Sequence, residues 1–144
     1  MHSFVMAVVY THHLEETRRF YEAHFVLPIE DASAQGFRVL LTGDSGIQYL
    51  DAGGAGHEAT PGPLLRWKLP HTALERERLL AAGVPCSDLS VADWGAAFGE
   101  RVQYFMFTDP SGVQIQAFES HFGEKRQFTT TADGVEVRKA QAGG

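Results

Sequence analysis

A chain of 144 residues, 44% hydrophobic and 21% charged, has the balance of one soluble globular domain and buries roughly two-thirds of its unfolded surface. Twelve Lys and Arg against eighteen Asp and Glu leave a net charge of −6; with no basic run to release counterions, neither nucleic acid nor an anionic membrane is an expected partner. One cysteine, Cys86, excludes an internal disulfide and a thiolate metal cluster, and reads as a buried thiol. The first ten residues, M-H-S-F-V-M-A-V-V-Y, lack a basic leader region, and no apolar stretch reaches about 18 residues. No membrane span is expected, and the expected compartment is the cytoplasm.

Residues 4–10 are apolar and β-branched, a strand by pattern. Residues 13–25 follow as a helix, with Leu14, Thr17, Phe20, Tyr21 and His24 at helical spacing and Pro28 as the stop. Residues 37–41 and 47–51 form a hairpin. Residues 53–63, G-G-A-G-H-E-A-T-P-G-P, read as a linker. A second block repeats the order: a strand at 64–69, a helix at 72–82 ended by Gly83, a short strand at 84–86 and a loop at 87–100 that carries Trp94. The block closes on Q-Y-F-M-F-T-D-P-S-G-V-Q-I-Q-A-F-E, residues 103–119, two β-prone runs around Asp109-Pro110-Ser111-Gly112. Proline presets φ at the second turn residue and glycine tolerates positive φ, so this is a hairpin with a four-residue turn. The first hairpin, F-R-V-L-L-T-G-D-S-G-I-Q-Y-L, echoes it through T-x-x-S-G-[IV]-Q. The tail from 123 to 144 predicts a small hairpin around residues 132–134 and a disordered end.

Two β-α-β-β-β blocks, F-Y near the end of the first helix and F-x-D-P-x-G-x-x-I at the last hairpin together resemble the vicinal oxygen chelate superfamily, which includes glyoxalase I, extradiol dioxygenases and bleomycin-resistance proteins. The resemblance covers residues 4–120 and implies an α+β fold. Two modules, residues 1–56 and 62–122, would form curled mixed sheets around a cleft within a single glyoxalase-like domain, residues 1–122. It also implies a homodimer, with modules paired within a chain or exchanged between chains. Enzymes of the superfamily hold a divalent metal with a His or Glu on the first strand and a Glu on the last strand of each block. Counted from Phe20-Tyr21 and from Gly112, those positions fall on Met6, on or beside Leu64, on Gln116, and on Gln48 or Leu50. Thioether, alkyl and neutral amide groups are poor ligands for such a cation, so no metal and no cofactor are expected. The seven histidines offer no H-x-H or H-x-x-x-H pair on one face. His12 shares the parity of Met6 and is the one residue from which a displaced metal site could be built.

Strand alternation then assigns faces. Met6, Val8 and Tyr10 share the cleft side of the first strand. A four-residue turn sets Phe105 opposite Gln116, Phe107 opposite Gln114 and Gln103 opposite Phe118, and puts these in the cleft. The same count puts Phe37, Gln48 and Leu50 there, with Val39 and Leu41. Arg66 and Lys68 turn inward beside Leu64, and Glu119 faces away. Phe37, Phe105 and Phe107 serve either as pocket wall or as packed core. Arg66 is either a cleft cation or an edge residue paired with a carboxylate, and Trp94 either a lid or a dimer contact. The set suits an apolar or aromatic small molecule with a carbonyl or acidic group. The expected function is metal-independent binding and sequestration of such a ligand. The alternatives are a lyase, isomerase or dioxygenase of the same superfamily with an altered metal site, or a structural or regulatory partner whose cleft is filled.

Overall fold

The computed structural model describes residues 6–33, 35–122, 126–131 and 134–139. Its elements are β1 (Met6–Thr11), α1 (Leu14–His24), β2 (Ile29–Ser33), β3 (Gly36–Thr42), β4 (Ser45–Asp51), α2 (Ala52–Ala55), β5 (Leu64–Lys68), α3 (Thr72–Ala81), β6 (Ser90–Asp93), β7 (Arg101–Thr108) and β8 (Gln114–Glu119). A single 3-10 turn, Ala96–Phe98, lies between β6 and β7. Farther on, β9 (Arg126–Thr131) and β10 (Gly134–Lys139) pair antiparallel with each other. The start of the first strand at Phe4 and Val5, the turn at residues 132–133 and the expected disorder after residue 139 lie outside the described residues.

Two four-stranded mixed sheets share one strand order, β1-β4-β3-β2 and β5-β8-β7-β6. In each, the block's first strand runs parallel to its last, and the remaining pairs are antiparallel. The fold is α+β, and neither sheet closes on itself. The short strand expected at residues 84–86 is irregular backbone instead: Pro85 has no N–H to give to a ladder, and β6 pairs with β7 a few residues later. Part of the expected linker is helical. Asp51 caps α2 by accepting from Gly54 N–H at 2.9 Å, and Gly56 ends it in the left-handed region.

α1 buries Thr17 and Tyr21, one turn apart, and carries Glu15 and Glu16 in the first turn, where the macrodipole favours negative charge. It ends at extended Phe25, ahead of Pro28. α3 starts against β8: the Glu119 carboxylate accepts from Thr72 N–H at 3.0 Å and from Thr72 Oγ1 at 3.1 Å. The helix-facing sides of both sheets share one core, which includes Val9, Tyr21, Tyr49, Trp67, Phe105, Phe107 and Ile115. Each such side chain contributes about 1.5–3 kcal/mol on burial.

The two blocks are joined through one buried carboxylate. Asp109, in the β7–β8 turn, accepts from Ser111 N–H at 2.9 Å and Val113 N–H at 3.0 Å on Oδ1. Its Oδ2 accepts from the Tyr21 hydroxyl at 2.8 Å and from the Tyr49 hydroxyl. Ser111 adds hydroxyl contacts to Thr11 at 2.8 Å and Thr17 at 2.5 Å. The segment before β5 crosses this turn so closely that a Cβ on Gly62 would stand 1.8 Å from Gly112 O, and Gly112 itself has φ 86°.

Candidate functional site

The side of each sheet turned away from the helices is open, and the strand pairings say which residues share it. In the first sheet Val8, Gln48 and Arg38 form one cross-strand row, with Met6, Gly46 and Leu40 on one side and Tyr10, Leu50 and Gly36 on the other. In the second, the central row is Arg66, Gln116 and Met106, flanked by Leu64, Gln114 and Thr108 and by Lys68, Phe118 and Tyr104. The rows are copies of each other: Val8 and Gln48 stand where Arg66 and Gln116 stand. The positions that the resemblance assigns to metal ligands are thereby Met6 and Gln48 in one sheet and Leu64 and Gln116 in the other, all on open faces. None carries an imidazole or a carboxylate, so the donor set does not fit a divalent cation. Among the described residues no three His, Cys, Asp or Glu come together as a metal-binding group.

Of the residues expected in the cleft, Met6, Val8, Tyr10, Gln48, Leu50, Arg66, Lys68, Gln114 and Gln116 lie on these open faces. Six do not. Phe37, Val39, Phe105 and Phe107 are at most 3% exposed in the core, Leu41 packs against that core, and Gln103 accepts from Thr72 Oγ1 at 2.8 Å on the helix side. The cause is one residue of turn length. Residues 109–113 separate Thr108 from Gln114, so Phe105 pairs with Ala117 and Phe107 with Ile115. A shift of one residue exchanges the two faces of a strand. In the first sheet the same exchange pairs Phe37 with Tyr49 and Val39 with Ile47, both core pairs. The open face of β7 is occupied by Tyr104 and Met106 instead. Glu119 faces away from the open side, as expected.

Arg66 is the charged centre of the second open face. Its Nε–H donates to Gln116 Oε1 at 2.9 Å, and its guanidinium lies over the Trp94 ring at 4.1 Å and the Phe98 ring at 4.9 Å. It forms no ion pair among the described residues. Trp94 also meets Tyr104 at 5.0 Å and Phe118 at 5.5 Å. The segment between β6 and β7 therefore folds onto the open face, with Gly95 and Gly99 at φ 87° and 84° giving it the left-handed bends it needs. Trp94 and Phe98 had no sequence signal beyond two aromatics spaced across a glycine-flanked turn. In the first sheet Tyr10 stacks on His57 at 4.2 Å, so the segment after α2 covers that end of the face. Burial pushes the carboxyl of Asp109 up despite its four donors, and pushes the hydroxyls of Tyr21 and Tyr49 far up; this cluster sits on the core side and holds the blocks together rather than facing the open side.

No protein-family model matches this chain, and no curated protein matches it significantly. Solved structures do. Lactoylglutathione lyase from Agrobacterium tumefaciens superposes with a TM-score of 0.64 at 15% identity, covering 83% of this chain and 94% of that one. A glyoxalase/bleomycin resistance protein/dioxygenase from Nocardioides gives 0.63 at 17% identity, over 85% and 86% of the two chains. One from Alicyclobacillus acidocaldarius gives 0.59 at 13% identity, over 83% and 92%. Together with the repeated mixed sheets, these likenesses establish that the chain has the glyoxalase-like fold.

Proposed function

We propose that this protein binds and sequesters an apolar or aromatic small molecule on its open sheet faces without using a metal. The observation that supports this reading is the donor set Met6, Gln48, Leu64 and Gln116 at the positions where the superfamily's enzymes hold their cation. What the faces offer instead is apolar surface from Met6, Val8, Leu40 and Leu50 on one sheet, and from Tyr104 and Met106 around a fixed guanidinium on the other. The stacking on Trp94 and the bond to Gln116 hold Arg66 in place, while its terminal nitrogens have no partner among the described residues. A planar fork of free N–H groups suits an acidic or carbonyl oxygen. A second copy of the chain is the proposed cover for the open faces, making the protein a homodimer.

Native mass spectrometry of protein isolated from its own host identifies the retained molecule, and metal analysis of the same sample tests the cation. The expected result is a bound organic molecule with no stoichiometric metal. Arg66→Ala should then weaken that molecule's binding ten- to a hundredfold, because a charge-assisted hydrogen bond contributes about 1.5–3 kcal/mol. Stoichiometric zinc, iron, manganese or nickel, lost on changing Gln116 or His12, would move the protein to the lyase, isomerase or dioxygenase reading.

A further inference from the structure

A second concavity lies between the two sheets, walled mainly by core-side residues and bordered by Gly46, Arg66 and Lys68 of the open-face rows. It encloses about 450 Å3, within the range of about 300–1,000 Å3 typical of small-molecule sites. Its walls include Phe25, Leu27, Leu41, Leu65, Trp67 and Leu69. All but Trp67 are only partly buried against the core, so apolar surface is left in a concave place that an apolar body would cover. The cleft follows β5, with Leu65 through Leu69 all contributing. That is possible because β5 is the edge strand of its sheet and its far side is unpaired.

Two polar features mark the cleft as more than a packing gap. Trp67 is 9% exposed, and its indole N–H is buried without a hydrogen-bond partner among the described residues. Its neighbours are the rings of Phe25 at 5.6 Å and Phe107 at 5.9 Å, which carry no lone-pair acceptor, and of Tyr21 at 6.3 Å, whose hydroxyl is bonded to Asp109 and Tyr49. A buried donor left unpaired costs about 1–3 kcal/mol, which an acceptor oxygen arriving beside it would recover. At the rim stand Arg66 and Lys68. Arg66 is held through Nε by Gln116 and stacked on Trp94. Lys68 is exposed, forms no ion pair among the described residues and lines the cleft at the edge strand, where a lysine stem covers apolar surface while its ammonium stays in water.

From these we infer that the inter-sheet cleft is a binding site for a monocarboxylic acid with a linear or aryl-alkyl apolar body. The body lies along Leu65, Leu69, Leu27 and Leu41, and the acid end meets the Lys68 ammonium and the Trp67 side of the cleft. The apolar body occupies core-side surface that the open-face site does not use, while Arg66 and Lys68 border both.

The test uses full-length protein carrying Trp94→Phe, in which Trp67 is the remaining tryptophan. Dodecanoate, dodecanol and dodecyltrimethylammonium, each below its micellar concentration, are titrated while Trp67 emission is followed. Dodecanoate should give a saturable emission change at one molecule per chain, dodecanol a weaker one and the cation none. Lys68→Glu should weaken dodecanoate at least tenfold while leaving dodecanol unaffected, and Leu65→Phe, which fills the cleft, should weaken both. Gln48→Leu alters the open face at a residue outside the cleft wall and should leave the titration in place. Absence of a saturable change, equal response to all three amphiphiles, indifference to Lys68→Glu or loss of the response with Gln48→Leu would each overturn the inference. If Leu65→Phe does not fold, Lys68→Glu, at an exposed side chain, still decides.

Discussion

At Asp109 two opposing effects meet. Burial disfavours the carboxylate, whereas two backbone N–H groups and the hydroxyls of Tyr21 and Tyr49 favour it; burial is the larger, and the carboxyl is pushed up. Removing the acceptor altogether leaves the buried Tyr21 and Tyr49 hydroxyls with only each other, at 3.0 Å, and one hydroxyl proton without an acceptor at the junction of the blocks. Asp109→Ala should therefore cost about 2–4 kcal/mol in urea unfolding. The tyrosines give the pH dependence. Their hydroxyls are raised from the ordinary value of 10.0, mainly by burial and next by the nearby charge of Asp109 for Tyr21 and by Tyr21 for Tyr49. A group whose folded pKa is raised contributes stability that is complete below the unfolded pKa and lost above it. The urea midpoint should thus fall as pH rises past about 10, and the fall should shrink in Tyr21→Phe. A midpoint flat between pH 9 and 11 would mean that the pair is not held as described. The sequence marked the D-P-S-G turn through its proline and glycine. It did not mark the carboxylate's partners, because Tyr21 and Tyr49 are distant in the chain and a phenol leaves no periodic trace of what it will bond.

The strands were legible because apolar residues alternate, and alternation alone says that two faces differ. It does not say which residue opposes which; that depends on the turn. One added turn residue paired Thr108 with Gln114 and moved Phe105 and Phe107 from the expected pocket wall into the core. On β5 no turn enters the count, since its face follows from Trp67 and Leu65 packing inward, and there Leu64, Arg66 and Lys68 fell where expected. The repeated T-x-x-S-G-[IV]-Q misled in the same way: it aligns Gln48 with Gln114, whereas the sheet rows align Gln48 with Gln116. Neighbours on β7 should now behave oppositely. Phe105→Ala opens a cavity in the core and should cost about 3–5 kcal/mol in equilibrium unfolding. Met106→Ala, on the open row beside Gln116, should change stability by less than a third of that while weakening the retained ligand. Equal losses of stability at the two positions would contradict the register.

A single chain leaves both open faces only partly covered. Val8 is 44% exposed and Leu64 50%, in rows that also hold Met6, Leu40, Leu50 and Met106, and the sheets do not close over them. Contiguous apolar surface of this kind on a soluble protein marks an interaction face. The sheets repeat one strand order, so each open face resembles the other in outline while differing in content: Val8 stands in one where Arg66 stands in the other. A two-fold dimer that sets the first sheet of one copy against the second sheet of its partner would join a half centred on Val8, Gln48 and Arg38 to a half centred on Arg66, Gln116 and Met106, twice over, as an isologous interface requires. Such a contact needs at least about 1,200 Å2 of buried surface to persist, and two four-stranded faces are the surfaces broad enough to supply it. Sedimentation velocity at micromolar concentration should show a dimer. Val8→Glu and Leu64→Glu each place a charge on an exposed side chain, so the fold should survive while the dimer dissociates, and the far-ultraviolet circular dichroism should be unchanged. Ligand retention should fall with the dimer, because each half-site would lose its complement. A wild-type monomer, or a dimer indifferent to both glutamates, would mean that the open faces bind without a second copy.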